Sequence, residues 1–459
     1  MALSVMPREL RRTTPMSAVV DFPVKPEARP YLDAYGRRPS GEPEWLGAHR
    51  RRGLTRFAEH GFPNRRSEAW RYIDLRALEE KPLLPVGPTG DADDTALRQR
   101  LVEEALSEAA YRLVLVDGRY APGLSRVEGL PSGVWLGGMA TTIAERPDLV
   151  RAAFEAPRFD AERPFTALNA AFFGDGFVLD IAPGIALDRP IEIVHLASGG
   201  TEGSLHTRNL VSAGAGSRGS ILETFAGVGR YWRNDVIELQ LAAGAEFGRV
   251  ALVEESADAF HIGELLAVLG PAARLASLVL LLGGRTMRHE ATIRSDGERT
   301  HCALRGAFVL SERQEANIVT VVDHAAPAGE TREVFKGVAA GRAHGAFQGR
   351  IIVRPDAQKV DAHQLSQNLV LSPRAAIDTK PELEIYADDV KCSHGAAVGD
   401  LDEAALFYLR TRGIAHQEAR RMLIEAFVQE VIESVGPAPL REHLLARLAC
   451  RLSMSEEEV

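Results

Sequence analysis

A thiol and an imidazole stand two residues apart near the C-terminal end of the sequence, at Cys392 and His394. Residues i and i+2 of a β-strand point to the same face, so an extended backbone there would place both side chains on one surface. Thiolate and imidazole are good ligands for iron and suit transient sulfur chemistry. Two donors are too few for a stable four-coordinate metal site, so the pair predicts a transient site or one that a partner completes. A buried cysteine beside a hydrogen-bonded histidine at a strand end explains the pattern equally well.

The predicted secondary structure differs on the two sides of this pair. Residues 383–386 form a short apolar run of extended type, which Asp388 and Asp389 interrupt. These two acids could accept hydrogen bonds at the site, but adjacent acids after an apolar run are more typical of a solvated turn. After residue 400 the apolar period becomes helical, through Leu401, Ala405, Leu406 and Leu409. The pair therefore lies near the boundary between a strand-rich region and a helical region.

Composition and charge exclude several classes of protein. The 459 residues are 45% hydrophobic and 25% charged, which is typical of a globular protein of two or three domains. The net charge of −9 argues against a nucleic-acid partner, which would need a basic surplus. No apolar run reaches the ~20 residues of a membrane span. Three widely spaced cysteines predict a reducing compartment, the cytoplasm, and we expect Cys302 and Cys450 to be packing residues.

Familiar catalytic motifs are missing from the sequence. It contains no GxxxxGK[ST], GxSxG, HExxH or CxxC pattern, which excludes a P-loop ATPase and disfavours the common hydrolase, zinc-protease and redox sites. Residues 214–219 match GxGxxG, but the SILETF that follows has the pattern of a strand and not of the helix that a dinucleotide site needs. We therefore interpret this stretch as a chain corner.

The middle of the chain, from Leu168 to Val398, is a series of short apolar runs separated by Gly, Pro, Asp and Ala. No helix of ordinary length interrupts it, which excludes a doubly wound α/β sheet. AGAG at 213–216, AGAE at 243–246 and GPAA at 270–273 each precede a strand-like run, a weak repeat of about 26 to 30 residues. This is near the length of one coil of a parallel β-helix, in which stacked coils share one core. The pattern favours a β-helix over the alternative, a β-sandwich.

We assign residues 166–399 to this β-core. The regions on either side of it have different sequence patterns. Residues 1–43 are rich in Pro and Arg and predict a flexible N-terminal arm. Residues 44–165 predict a helix-rich domain, in which FPNRRSEAWRYIDL at 62–75 resembles the start of a helix. Residues 400–459 predict a C-terminal domain of three helices.

The three C-terminal helices have too little core of their own, so they must pack on the β-core or on a partner. Their apolar stripes include Leu406, Leu409, Leu423, Phe427 and Val431. A groove for a partner and a simple cap on the β-core are equally compatible with this pattern.

Three stretches, residues 62–75, 165–183 and 380–414, carry a resemblance to a known family. KPELEIYADDVKCSHG and LDEAALFYLRTRGI, within 380–414, and FPNRRSEAW at 62–70 closely resemble signatures of the SufB/SufD family, the scaffold proteins of the SUF iron–sulfur cluster assembly machinery. The CSHG arrangement and FPNRRSEAW are more similar to the SufD branch than to its paralogue SufB. The resemblance implies a mainly β fold, with a right-handed parallel β-helix core between an N-terminal helix-rich domain and a C-terminal helical domain.

The resemblance also implies partners and site residues. His394 would lie at the interface with SufB and act as a transient metal ligand while a cluster is built, and Cys392 matches the family pattern. The β-core would form a heterodimer with SufB, and the C-terminal helices would dock the ATPase SufC. The isolated chain could form a homodimer. The chain would be a non-catalytic cytoplasmic scaffold with no stably bound cofactor, holding iron or an iron–sulfur cluster only transiently.

Two other functions remain open on the sequence. The first is the role of the paralogue SufB, which shares the β-core and the C-terminal region. The second is a β-helix enzyme that acts on polysaccharide, which needs paired carboxylates on the face of a groove. Asp388 and Asp389 are adjacent, so on a strand they would face opposite ways.

Overall fold

The computed structural model describes residues 24–38, 41–87, 94–105, 111–155, 163–200 and 202–454. Within these residues the α-helices are α1 (Arg29–Tyr35), α2 (Glu44–His60), α3 (Arg76–Glu80), α4 (Asp94–Glu104), α5 (Met139–Glu145), α6 (Pro147–Glu155), α7 (Pro164–Phe172), α8 (Glu403–Thr411), α9 (His416–Ile432) and α10 (Ala438–Met454). None of these helices has both the length and the apolar character needed to cross a lipid bilayer.

The strands of the described chain are β1 (Tyr111–Val116), β2 (Arg119–Tyr120), β3 (Val134–Gly138), β4 (Phe177–Ile181), β5 (Ile191–Ala197), β6 (Gly203–Ala213), β7 (Arg218–Gly227), β8 (Tyr231–Leu241), β9 (Glu246–Glu254), β10 (Phe260–Leu269), β11 (Arg274–Gly283), β12 (Thr286–Ser295), β13 (His301–Leu310), β14 (Glu315–His324), β15 (Glu330–Ala339), β16 (His344–Val353), β17 (Asp361–Val370), β18 (Ala376–Ile385) and β19 (Lys391–Gly399).

These strands form two sheets that share one stack of coils. The first sheet has the order β19-β17-β15-β13-β11-β9-β7-β5-β1-β2, and the second has the order β18-β16-β14-β12-β10-β8-β6-β4-β3. From β4 onwards the chain alternates between the sheets, and each strand pairs in parallel with the strand two places further on. This architecture is a parallel β-solenoid. The predicted β-helix core is therefore confirmed, and the β-sandwich alternative is wrong.

Successive coils turn at corners that need a left-handed backbone. Gly216 and Gly244 have φ angles of 64° and 66°, and Ala272 has a φ of 56° at the same corner of the next coil. Glycine adopts a positive φ without steric cost, which explains its use in AGAG and AGAE. The GxGxxG stretch turns at Gly216 and runs straight into β7, which begins at Arg218, so its interpretation as a chain corner is confirmed.

The interior of the solenoid is filled by every second residue of each strand. On β13, for example, Cys302, Leu304 and Phe308 are buried in the central core. Cys302 is thus the packing residue that the sequence predicts. The same expectation for Cys450 is wrong, since its side chain is exposed on α10. The buried stripe of α10 passes through Leu448, and a residue two positions away lies on the opposite side of a helix.

Helices α1, α2 and α7 pack on the outer face of the second sheet, whereas α4 packs on the first sheet. Tyr31 of α1 is fully buried, with its ring 5.5 Å from that of Phe57 and 6.4 Å from that of Trp232 on β8. The predicted flexible arm, residues 1–43, therefore contains an ordered helix, because burying this aromatic side chain offsets the entropy of ordering the segment. Residues 1–23 of the predicted arm lie outside the described residues.

The FPNRRSEAWRYIDL segment forms one turn of 3-10 helix, Glu68–Trp70, and not the α-helix that its pattern predicts. Its carbonyl groups bond to solenoid side chains. Arg288 Nη1 donates to the Ala69 carbonyl (3.0 Å), and Gln348 Nε2 donates to the Glu68 carbonyl (3.2 Å). The segment thereby ties the N-terminal helices to β12 and β16.

The C-terminal helices α9 and α10 pack on the outer face of the first sheet. Val428, Val431 and Leu444 are fully buried in a cluster that includes Leu280 of β11 and Val338 of β15. These two helices therefore cover the β-core, as one of the two alternatives supposed. In α8, by contrast, no residue is fully buried.

Candidate functional site

The two sheets end side by side at β18 and β19. Within the described chain β18 pairs only with β16 and β19 only with β17, so each strand has an edge whose backbone groups face outward. Ile385, Tyr386 and Val398 are 39%, 60% and 48% exposed there. Unpaired strand edges beside exposed apolar side chains are templates for pairing with a further chain. We call β18 and β19 the open end of the solenoid.

Cys392 and His394 lie on β19 in the extended conformation that the sequence predicts. They pair in register with Ala362 and Gln364 of β17, which are buried inside the solenoid. Both side chains therefore belong to rows that face the interior. Because β19 is the last strand of its sheet, no further coil of the described chain covers them, and Cys392 is half-buried while His394 is exposed. The open end thus carries a thiol and an imidazole together on its rim.

Burial raises the pKa of the Cys392 thiol, because the thiolate is poorly solvated where the side chain packs against a buried apolar cluster that includes Ala362 and Ala387. A hydrogen bond from the backbone of Ala362 lowers this pKa, and the negative charge of Asp361 raises it. A thiol with a raised pKa stays protonated until a metal ion or a cationic partner stabilises its thiolate. Cys392 is therefore expected to become a thiolate ligand only when a metal ion or a cationic group of a partner reaches it.

Ser393, between the two site residues, belongs to the opposite face of β19. The Nδ1 atom of His363 lies 2.5 Å from Ser393 Oγ, and its Nε2 atom lies 2.9 Å from Asp361 Oδ1. His363 is therefore a second exposed histidine near the open end, one strand away from His394 and on the other face of the sheet.

Two polar side chains that sequence reasoning did not single out lie inside the solenoid behind His394. Gln364 on β17 and Glu333 on β15 are 2% and 1% exposed, and Gln364 Nε2 donates a hydrogen bond to Glu333 Oε2. Thr320 Oγ1 donates to the same carboxyl oxygen (3.3 Å). Burial raises the pKa of Glu333 to about 7, although these two hydrogen bonds lower it. In the sequence, these two residues are marked only by being polar at inward-facing strand positions of two neighbouring coils.

Glu333 makes the stability of the fold depend on pH. Its folded pKa is raised from 4.5 to about 7, so its contribution is fully present below pH 4.5 and is lost as the pH rises through 7. We expect the wild-type free energy of unfolding to fall by about 2 to 4 kcal/mol more than that of Glu333→Gln between pH 5 and pH 8. Urea denaturation of both proteins at the two pH values measures this difference. Equal pH dependence in the two proteins would contradict it.

The residues predicted to bind a partner through the C-terminal helices differ in exposure. Val431 is fully buried against the solenoid, and Phe427 packs partly buried against the same cluster. The remaining three are partly exposed: Leu406, Leu409 and Leu423. Beside them lie strongly exposed apolar side chains, Phe407 (67%), Tyr408 (57%) and Met422 (40%). We call these last three residues the C-terminal apolar patch.

Comparison with known proteins connects this geometry to a family. The family model described as "SUF system FeS cluster assembly, SufBD core domain" matches residues 195–427, which include almost the whole solenoid and the open end. The model described as "SufBD protein N-terminal region" matches residues 102–193.

Several relatives align along most of the chain. An iron–sulfur cluster assembly SufBD family protein of Synechocystis is 30% identical over 85% of this chain and 87% of its own length. The iron–sulfur cluster assembly protein SufD of Escherichia coli is 29% identical over 87% of this chain and 91% of its own. A chloroplastic protein of Arabidopsis thaliana, ABCI7, is 28% identical over 83% and 81%. Since the core model covers more than half of the residues and these relatives align nearly end to end, the chain belongs to the SufBD family of iron–sulfur cluster assembly proteins.

Proposed function

We propose that the chain is a scaffold subunit for iron–sulfur cluster assembly, and that it acts as the SufD-type member of a complex with a SufB-type subunit and a SufC-type ATPase. The observation that carries this proposal is the presence of Cys392 and His394 together on the uncovered rim of the solenoid. The alignment with the E. coli protein named SufD, over 87% of this chain, supports it. The subunit itself is non-catalytic and works in the cytoplasm, which agrees with its three free cysteines.

The open end is the surface that pairs with the SufB-type subunit. Outward-facing backbone groups of β18 and β19 would bond to the partner's own strand edges, and Ile385, Tyr386 and Val398 would be buried. Pairing in this way would cover the rim and remove water from Cys392 and His394. In the absence of that partner, the same edge would pair with a second copy of this chain to form a homodimer.

The chemistry of the site follows from the number of its donors. Cys392 and His394 would supply two protein ligands to the iron of a growing cluster, whose other ligands are the cluster's own sulfide and side chains of the partner. Cys392 loses its proton when it binds iron, because only the thiolate is a ligand. Iron and the growing cluster are cargo here, since the separation of the two subunits removes part of the coordination and releases them. No cofactor is held permanently.

The ATPase docks on the C-terminal apolar patch. Exposed aromatic side chains are common anchors of protein interfaces, and truncating such an anchor costs about 2 kcal/mol or more. We expect Phe407→Asp to weaken binding of the ATPase by about thirtyfold or more, because the substitution also places a charge in the contact. Binding of the purified proteins by calorimetry measures this change.

Val228→Asp is a matched control for Phe407→Asp, since Val228 is another exposed apolar residue (43%), located between β7 and β8. It should leave ATPase binding unchanged. Equal binding by the wild type and Phe407→Asp would place the ATPase elsewhere on the chain.

The alternative functions have less support. A SufB-type role would use the same fold, and co-expression separates the two: a SufD-type chain pairs with the SufB-type protein of its own organism. A polysaccharide-active β-helix enzyme would need its carboxylates in a groove, whereas Asp388 and Asp389 are exposed on the turn between β18 and β19.

The proposal is tested by co-purification of the chain with the SufB-type and SufC-type proteins of its own organism, followed by anaerobic reconstitution with iron and sulfide. We expect a stable complex that builds a cluster measurable by iron and sulfide assay and by visible absorption. If the wild-type chain forms no complex with either protein, the scaffold function is wrong.

A further inference from the structure

A buried amide and a buried carboxyl group stand in line behind His394. His394, Gln364 and Glu333 occupy the same inward-facing row, on β19, β17 and β15. Neighbouring strands of a sheet lie about 4.8 Å apart, so the three side chains are stacked along the axis of the solenoid. Only the outermost of them, His394, reaches solvent.

The amide of Gln364 is held in one orientation. Its Nε2 atom donates to the carboxylate of Glu333, on the β15 side. Across the interior, Gly349 leaves the room that this amide occupies, because a Cβ at that position would collide with Nε2 and Cδ of Gln364. With Nε2 engaged by Glu333 on the β15 side, the amide oxygen is left without that partner, and the next side chain of the row on the other side of Gln364 is His394.

The oxygen of this amide is an unused acceptor. Gln364 Oε1 is buried and has no hydrogen-bond partner within the described chain. A buried polar atom without a partner costs about 1 to 3 kcal/mol, so a hydrogen-bond donor at Gln364 Oε1 would stabilise the fold. Its neighbour in the row is an imidazole, whose neutral form carries one N–H group.

We infer that Gln364 is a positioning residue for His394: its Oε1 accepts the hydrogen bond of one ring N–H, and Glu333 fixes the amide in the orientation that makes this possible. The inference rests on the proposed function, because it takes His394 to be an iron ligand. Ligating histidines ordinarily donate their other ring N–H to a carbonyl or carboxylate, which sets the tautomer and the direction of the ring. Here Glu333 holds Gln364, and Gln364 would hold one ring nitrogen of His394. The other ring nitrogen of His394 would then face the partner and the iron.

The hydrogen bond is expected to become important when the partner covers the open end. In the separate chain His394 is exposed, and water can satisfy both ring nitrogens. Once the rim is covered, water is excluded and the ring N–H needs an acceptor inside the interface. Gln364 Oε1 lies in the adjacent position of the same row.

The test compares Gln364→Met, which keeps the length of the side chain and removes the amide, with Gln367→Met on the same strand. Gln367 is a matched control because it lies three residues along β17, on the outward face. The complex with the SufB-type and SufC-type proteins is prepared with ¹⁵N-labelled histidine, and long-range ¹H–¹⁵N spectra report the tautomer of each imidazole. His394→Ala identifies the signal of His394. The affinity of the same complexes for ferrous iron is measured anaerobically.

We expect His394 to have a single neutral tautomer in the wild type and in Gln367→Met. In Gln364→Met the tautomers should mix, and ferrous iron should bind about 10 to 100 times more weakly. Glu333→Leu provides a second variant in case Gln364→Met does not fold: it leaves the amide free to turn and should also mix the tautomers.

Three outcomes distinguish this inference from the proposed function. Mixed tautomers with weaker iron binding support the inference. An unchanged tautomer in both Gln364→Met and Glu333→Leu overturns it, even if His394→Ala abolishes cluster assembly and so supports the scaffold function. If His394→Ala has no effect on assembly, the proposed function of that residue fails, and unchanged iron binding in Gln364→Met then overturns the inference as well.

Discussion

Replacing His394 by alanine is expected to lower the yield of iron–sulfur cluster in the reconstituted complex by at least about tenfold while the complex still assembles. The imidazole is one of the two donors that this chain contributes, and losing a ligand weakens the hold on iron more than the 10- to 100-fold cost of losing its supporting hydrogen bond. Because the side chain is exposed, its removal should leave the fold intact. Iron and acid-labile sulfide per complex, assayed after anaerobic reconstitution, measure the effect.

His363→Ala is the matched control for this experiment. His363 is an exposed histidine on the neighbouring strand, but it belongs to the opposite face of the sheet and bonds to Ser393 and Asp361. Its variant should build cluster at the wild-type level. A His394→Ala complex that loads as much iron and sulfide as the wild type would show that His394 is structural and that the site lies on the partner.

A proline at position 396 is expected to weaken pairing with the SufB-type subunit by about a hundredfold and to leave the separate chain stable. Lys391 N–H donates to the carbonyl of Val360, the residue directly before β17. In a parallel ladder the odd-numbered residues of β19 therefore bond to β17, and the backbone groups of the even-numbered ones face the open edge. The N–H of Ala396 therefore points at the partner. Proline removes this donor and places its ring against the incoming strand, a cost of about 3 kcal/mol.

Ala396→Val separates the loss of the donor from a change of side chain, because valine keeps the N–H and suits an extended strand. Subunit affinity is measured by sedimentation velocity, and the thermal midpoint of each separate chain is measured beside it. We expect weak pairing only for Ala396→Pro, with similar midpoints for all three proteins. If Ala396→Pro pairs as tightly as the wild type, the subunits do not meet through the edge of β19.

Features that repeat in every coil could be predicted from the sequence. A glycine corner such as Gly216 and the alternation of inward apolar residues depend only on nearby residues, and the same local rule applies in each coil. The shared face of Cys392 and His394 follows from the same rule, since two residues on one strand need no information about the rest of the chain.

Features that depend on distant contacts could not be predicted in this way. The helix expected around Glu68 is replaced by one 3-10 turn because side chains of β12 and β16, more than two hundred residues away, bond to its carbonyl groups. The ordered helix at Arg29–Tyr35 likewise depends on Trp232. Glu333 and Gln364 became recognisable only when the register of the coils showed them to share a row with His394.

The stacking of the coils has a consequence for how the molecule responds to its partner. In a linear array each coil is stabilised mainly by its two nearest neighbours, so a coil at the end of the array has half the support of one in the middle. Local opening should therefore be easiest at β18 and β19, and amide hydrogen exchange should slow progressively towards β10 and β11. Docking of a second subunit supplies the missing neighbour. The last coil would then exchange as slowly as an internal one, so that assembly of the complex and ordering of the strand that carries His394 are a single cooperative event.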